Sequence, residues 1–541
     1  MRASLLDGFV RALVGTEAIP GISLEMVDRD GTILASAVGW RDLASRSAVS
    51  AQTRFEIGSI SKSFLSIVLL GLAAEGRLGL DDLLTDHLPW FSVRTTHAPI
   101  RLRHLLQHTS GLIAGADALP DDYAQAWELR HTETGSEPGT MFHYSNAGYV
   151  LLGLVVEAVT GRTASDLVAE RVLEPLRMSE SSACITHADR QRLATGYQPL
   201  HDDRPWLPGD ELVPATWFEV AAADGNVAAT AHDLGRYLRM LLGRGTLDGT
   251  TVLGHDAFRE LTESLAPGGE PSEHPSSYGL GVNVETIDGH TCLTHGGGMV
   301  GYASFVVADL DAGVGVAVLT NAPGDSPVAE LVARAGYDQV RAEREARSPA
   351  PLPGVDPWVV ADRERYVGTY VAGDRAVRVE PSDDAGLTLT DDAGSGRLGW
   401  AAGRLACTHP GWRTFHHDLA GDGAGRTWTY GGLVLRPEGA TPPAVPDVGG
   451  DAAALVGHYR SYSPWYTSFR IVLREGALHV VAAGGVEGAR DDPQLVLLAP
   501  GVYRIGAEPE LPERLVAGPA VGGRVVSVSR DGCVYSRTFT A

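Results

Sequence analysis

Apolar residues recur at helical spacing from the start of the chain. Leu5, Leu6, Phe9, Val10 and Leu13 share one face, and Asp7 and Arg11 interrupt the run, which predicts an amphipathic helix and not a secretory leader. The period then shortens. Ile22–Val27 and Thr32–Val38 read as strands around Asp28-Arg29-Asp30-Gly31, a hairpin signal. Tyr302–Ala308 and Val314–Thr320 repeat that signal late in the same block. Between the hairpins, Ser61–Glu75, Tyr149–Val159 and Ala231–Leu242 carry helical patterns. Strands at both ends with helices between predict an α+β domain: an antiparallel sheet whose terminal strands meet, with helices packed on it.

The pattern breaks at Ser348-Pro349-Ala350-Pro351-Leu352-Pro353-Gly354. Proline at every second position excludes a helix or an interior strand, so this is a linker. A second break runs from Pro437 to Pro446. The two segments so defined carry short Val, Leu, Tyr and Trp runs between Gly and Asp, predicting small all-β barrels. They open alike, with Tyr366-Val367-Gly368-Thr369-Tyr370 and Leu455-Val456-Gly457-His458-Tyr459, which suggests a duplication. The predicted division is residues 1–347, 355–437 and 450–541.

Composition narrows the partners. At 541 residues with 44% hydrophobic and 21% charged, the chain is ordinary for a globular protein and excludes wholesale disorder. The net charge of −23 argues against a nucleic-acid partner. The most apolar stretch, Phe64 to Ala74, is shorter than the roughly 20 residues that span a bilayer. The expectation is a soluble, cytoplasmic protein with no membrane partner, acting on a small molecule or short peptide, its oligomeric state left open. The four cysteines lie far apart and indicate neither a zinc knuckle nor a disulfide scaffold.

One count carries chemistry. Lys62 is the single lysine, so the other basic residues are 44 − 1 = 43 arginines. Arginine replaces lysine on a surface but not where an amine must lose its proton. In Phe55-Glu56-Ile57-Gly58-Ser59-Ile60-Ser61-Lys62-Ser63-Phe64, Ser59 and Lys62 share a face one helical turn apart, inside an apolar stretch. Burial disfavours the charged amine, and a neutral amine beside a hydroxyl can take its proton. A second element, Pro138-Gly139-Thr140-Met141-Phe142-His143-Tyr144-Ser145-Asn146, leads into an apolar helix. Asn146 stands where an N-cap would, and capping is one reading of it. Tyr144 could equally be a core tyrosine. The third element, Thr294-His295-Gly296-Gly297-Gly298-Met299, runs into a strand. Consecutive glycines there imply close backbone approach, and a backbone N–H beside that of Ser59 could form an oxyanion hole.

Ser59-Ile60-Ser61-Lys62, Tyr144-Ser145-Asn146 and His295-Gly296-Gly297 resemble, in order and spacing, the three motifs of the serine β-lactamase and penicillin-binding-protein superfamily, most closely its class C-like branch. His104 to Leu112 and Tyr278-Gly279-Leu280-Gly281 are similar to that branch too. The resemblance covers most of residues 1–347 and implies a penicillin-recognition fold, with a helical subdomain packed on an α/β sandwich and the site between them. It implies Ser59 as nucleophile and Lys62 and Tyr144 as joint proton carriers. Asn146 would orient Lys62 and the substrate, and His295 would line the opposite wall. Gly297 belongs to the same glycine strand, and the N–H groups of Ser59 and Gly298 would hold the oxyanion. No metal or cofactor is called for.

The third motif usually opens with lysine, a fixed cation for a drug carboxylate. His295 is largely neutral near pH 7 and holds carboxylate weakly. That departure points away from β-lactamase action and toward the esterases, D-aminopeptidases and peptide-cyclising thioesterases of the superfamily. Two appended barrels also look like the D-aminopeptidase architecture, in which a barrel loop reaches the cleft; Gly484 to Pro493 is the candidate loop here. His416-His417-Asp418 lacks partners at metal spacing and reads as a surface loop. His104 and His108 read as packing residues on one helix, and Asp224-Gly225-Asn226 as shaping the cleft. The expected activity is acyl-enzyme hydrolysis of a small amide, peptide or ester, D-amino-acid derivatives leading. The alternatives are macrocyclisation of a non-ribosomal peptide and a non-catalytic binding protein on the same fold.

Overall fold

The computed structural model describes residues 2–16, 19–115, 121–354, 356–401, 403–443, 449–484 and 491–538. Its centre is an eight-stranded antiparallel sheet in the order Ser276–Tyr278, Asn283–Ile287, His290–Met299, Tyr302–Asp309, Val314–Thr320, Gly21–Asp28, Thr32–Asp42 and Ser47–Ala48. The first and last long strands of the domain meet as expected, with Ile22 opposite Thr320 and Asp28 opposite Val314. Both faces of this central pair are covered, so its strands are apolar throughout and not alternating. Ile22, Leu24, Met26, Val316 and Val318 face the helices Arg2–Thr16 and Val328–Arg344. Val27, Ala317 and Leu319 face Ala231–Leu242. On the first helix Leu6, Phe9, Val10 and Leu13 are buried, but Leu5, expected on the same face, is 59% exposed.

The helical subdomain is built around Ser61–Ala74 and Asn146–Thr160, whose side chains join one continuous core with Leu102, Leu105 and Leu106. No single helix among the described residues is long and apolar enough to cross a membrane.

Two closed eight-stranded barrels follow, from Gly368–Ala372 to Leu433–Pro437 and from Gly457–Arg460 to Cys533–Arg537. The repeated opening motif has the same physical role in each. Tyr370 Oη donates to the Tyr366 carbonyl at 2.9 Å, and Tyr459 Oη donates to the Leu455 carbonyl at 2.8 Å. Each tyrosine is buried on the strand that closes its barrel against the last one. Both barrels dock on the first domain. From the first barrel, Arg413 pairs with Asp210, and Ala401 and Ala406 pack on Leu207. From the second, Arg460 pairs with Asp202 at 2.7 Å, Arg470 donates to the Asp203 carbonyl at 2.6 Å, and Trp465 packs edge-on to Phe218.

Candidate active site

Ser59 lies in a 3-10 turn, Gly58–Ile60, that runs directly into Ser61–Ala74. The turn needs a left-handed residue, and Gly58 supplies it at φ 52°. The short strand Phe55–Glu56 pairs with Ala228–Ala229, and Ile57 N–H donates to the Val227 carbonyl at 3.0 Å. Val227 N–H in turn donates to Ser61 Oγ at 3.1 Å. These bonds carry the Asp224 backbone to the base of the nucleophile turn.

Lys62 is fully buried there. Its Nζ lies 2.8 Å from Ser59 Oγ and donates to the Asp224 carbonyl at 2.9 Å. A neutral amine in this position gives one N–H to the carbonyl and keeps its lone pair for the serine proton. Asp224 therefore contributes through its carbonyl oxygen, a role that a side-chain motif cannot announce.

Tyr144 stands over the amine, its ring centroid 5.0 Å from Lys62 Nζ. Its hydroxyl is buried beside Ser59. Burial pushes the phenol well above its ordinary value, with Ser59 the neighbour that pulls it back, so it stays protonated at neutral pH. His108 stacks beneath the ring at 4.1 Å, and its Nδ1 accepts from Ser145 N–H at 3.0 Å. The helix expected to carry both His104 and His108 ends earlier, at Leu102–Leu106, and His108 adopts φ 55°. His108 is thus a support for Tyr144 rather than a helix-face packing residue.

Asn146 is not the N-cap. Ser145 holds that position, its Oγ accepting from Gly148 N–H at 3.1 Å, and Asn146 is the first residue inside the helix, lining the cleft. The serine hydroxyl competes better for the cap because the chain is still extended there, at φ −138° and ψ 107°.

The opposite wall is the strand His290–Met299. Its outer neighbour pairs with it only from His290 to Thr294, so from His295 onward its edge faces the nucleophile. Here the glycines are required. A Cβ on Gly297 would stand 1.9 Å from the Ile57 carbonyl oxygen, and one on Gly58 would stand 2.9 Å from Gly298 N. Backbone touches backbone, placing the Gly298 N–H beside the turn that carries Ser59. Ser304 Oγ locks the contact by donating to the Ile57 carbonyl at 2.9 Å.

His295 departs from expectation. Its ring does not line the wall but is buried at 2% exposure, with Nε2 2.8 Å from Tyr278 Oη and Nδ1 2.6 Å from the Gly296 carbonyl. The carbonyl can only accept, which makes Nδ1 the protonated nitrogen and Tyr278 the donor to Nε2. Burial lowers its pKa to about 4, so the imidazole is neutral and carries no charge to the cleft. The wall itself is the backbone of Gly296, Gly297 and Gly298.

The cleft has a volume of about 1600 Å³ and is shared by all three domains. Ser59, Tyr144, Asn146 and the glycine strand line it together with other first-domain residues, and Gly484, Trp465 and Arg530 of the second barrel and Arg404 and His416 of the first also contribute. Of the candidate barrel loop, residues 485–490 lie outside the described residues. Its Asp492 is engaged, 2.7 Å from Arg474 and 3.1 Å from Arg404. His416 and His417, expected on a surface loop, are buried; His417 accepts from the Trp428 indole N–H at 2.9 Å, and Asp418 pairs with Arg404.

The structure thus brings together a serine within hydrogen-bond reach of a buried lysine, a buried phenol over both, and a glycine-lined sheet edge. A family model described as Beta-lactamase matches residues 6–340, and the chain belongs to that family. It is similar to Protein flp of Staphylococcus aureus strain MW2, 28% identical over 312 residues, which span 56% of this chain and 60% of that protein. In fold it is similar to the octameric penicillin-binding protein homologue from Pyrococcus abyssi (TM-score 0.60, 23% identity, 81% of this chain and all of that one). It is also similar to the D-amino acid amidase from Ochrobactrum anthropi SV3 complexed with D-phenylalanine (TM-score 0.55, 23% identity, 64% of this chain and 99% of that one).

Proposed function

We propose that the chain hydrolyses small amides, peptides or esters through an acyl-enzyme on Ser59, with amine-bearing, D-amino-acid substrates as its class. The observation that carries this reading is the 2.8 Å approach of Lys62 Nζ to Ser59 Oγ in a buried pocket. Lys62 takes the serine proton as Oγ attacks the substrate carbonyl carbon. The N–H groups of Ser59 and Gly298 hold the oxyanion. Tyr144 passes its proton to the leaving amine or alkoxide and recovers one from Lys62. Water then attacks the ester, giving up its proton along the same route and releasing the acid.

Charge around the cleft supports the amine. Asp121, Asp122, Glu157, Glu219, Asp224 and Glu270 line it against Arg334, Arg404 and Arg530. Arg334 is held by Glu285 and Arg404 by Asp418. Burial, with the charges of Asp224, Asp121 and Glu157 adding, raises Asp122 to about 7. A substrate ammonium relieves that repulsion, whereas a drug carboxylate gains no cation from His295, whose ring is neutral and buried away from the cleft. The D-amino acid amidase likeness fits the same class. The volume of about 1600 Å³ exceeds what a single amino-acid amide fills and favours peptides. An internal amine of a long peptide could replace water, so cyclisation is the second outcome to look for.

The test is a turnover screen of D- and L-aminoacyl amides, short-chain esters, a peptidyl thioester mimic and a chromogenic cephalosporin. Preferred release from D-aminoacyl substrates supports the proposal. Turnover confined to the cephalosporin overturns the substrate class, and a product lacking both leaving group and added water identifies a cyclase.

A further inference from the structure

Glu513 comes from the second barrel but is buried against the wall that carries Tyr144. That wall has two strips. His143 N–H donates to the His108 carbonyl at 2.7 Å, Ser145 Oγ donates to the Ile113 carbonyl at 2.7 Å, and Ala147 N–H donates to the Ala114 carbonyl at 3.2 Å. Tyr144 sits between two of these anchored residues. Glu513 Oε1 grips both strips at once: it accepts from Ala114 N–H at 3.0 Å and lies 2.7 Å from His143 Nε2.

The surrounding chain is fitted to the same place. Arg514 donates to Glu133 at 2.6 Å, and a Cβ on Gly135 would stand 1.9 Å from the Glu510 carbonyl oxygen. His143 and Glu513 behave as an ion pair: burial opposes the charge on each, but their mutual bond holds His143 above and Glu513 below the ordinary value. A charged carboxylate taken into a domain interface and aimed at the residue next to a catalytic phenol costs more than packing alone requires.

We propose that Glu513 is a positioning residue: the second barrel inserts it to clamp the Ala114 and His143 strips and so fix Tyr144 over Ser59 and Lys62. The barrel then completes the active site rather than merely covering it. This inference rests on the acyl-enzyme reading above.

The experiment follows covalent labelling of Ser59 in the full chain by a fluorophosphonate, separating the maximal labelling rate from the probe concentration at half-saturation. Glu513→Ala is expected to lower the maximal rate at least tenfold with the half-saturating concentration little changed. Glu513→Gln, which keeps an acceptor for Ala114 N–H, should recover part of the loss and covers the case in which the alanine variant fails to fold. Arg460→Ala breaks a different bond between the same barrel and the first domain, to Asp202, and should label at the wild-type rate. Folded Glu513→Ala or Glu513→Gln labelling like wild type overturns the proposal, as does an equal loss in Arg460→Ala. A wild-type chain that forms no adduct overturns the acyl-enzyme reading itself, and the clamp with it.

Discussion

At the scale of single residues, adjacent side chains divide labour that the sequence runs together. Ser145 caps the helix while Asn146 faces the cleft. Ser145→Ala should therefore cost about 0.5–2 kcal/mol in a denaturation midpoint analysis, the usual worth of an N-cap. Asn146→Ala should leave that midpoint nearly unmoved and slow turnover. Both are read from one pair of urea curves and one rate assay, and a reversed pattern would return the cap to Asn146. Ser59, Lys62 and Tyr144 were legible because the chemistry needs those side chains at fixed spacing, and a lone lysine among arginines draws the eye. The Asp224 carbonyl and the stacking of His108 were not: the first is backbone, and the second depends on a left-handed residue after a short helix. His295 was legible in type but not in direction, because its orientation is set by Tyr278, a residue 17 positions away.

At the scale of elements, the sheet edge and the nucleophile turn are held at backbone contact by glycine. Gly297→Ala forces a methyl to within 1.9 Å of the Ile57 oxygen, so the strand and the turn must separate. The expected loss is about 1–3 kcal/mol of stability, typical of overpacking, with acylation of Ser59 falling more than the stability change explains. Thermal unfolding and probe labelling on the same sample check this. Full labelling by the variant would mean that Gly298 N–H is not needed at the site. The hairpins and long helices were legible from their periods, since each has one face or both faces buried. The extent of strand pairing was not. Nothing local says that the strand Asn283–Ile287 ends its pairing at Thr294 and so leaves the catalytic edge open.

At the scale of the whole molecule, burial of ionisable groups sets the pH response. Glu56, three residues before the nucleophile, is pushed up to about 8 by burial, with Trp217 pulling it back. Its folded value lies above the unfolded one, so the native state binds the proton more tightly and loses stability as pH rises from about 4.5 to about 8. Glu56→Gln should therefore gain stability over wild type progressively across that window and level off above it, by on the order of 1–3 kcal/mol. Buried His295, His416, His417 and His458 act oppositely: each is lowered to about 4 by burial, so stability falls as pH drops from about 6.5 toward 4. Melting temperature against pH for wild type and Glu56→Gln tests both, and parallel curves would remove Glu56 from the explanation. The barrels themselves were legible from turn spacing and the repeated tyrosine. Their contribution to the cleft was not, because docking joins residues hundreds of positions apart, such as Ala114 and Glu513.

The central proposal is that Lys62, buried 2.8 Å from Ser59 Oγ, takes the serine proton. The direct measurement is the rate at which a fluorophosphonate acylates Ser59, followed by intact-protein mass, in wild type and in Lys62→Arg. General-base catalysis of this kind is worth about 10²–10⁴-fold, so the arginine variant, which stays permanently charged and offers no lone pair, should label at least 100-fold more slowly while remaining folded. Labelling of Lys62→Arg at the wild-type rate would contradict the amine's role as base.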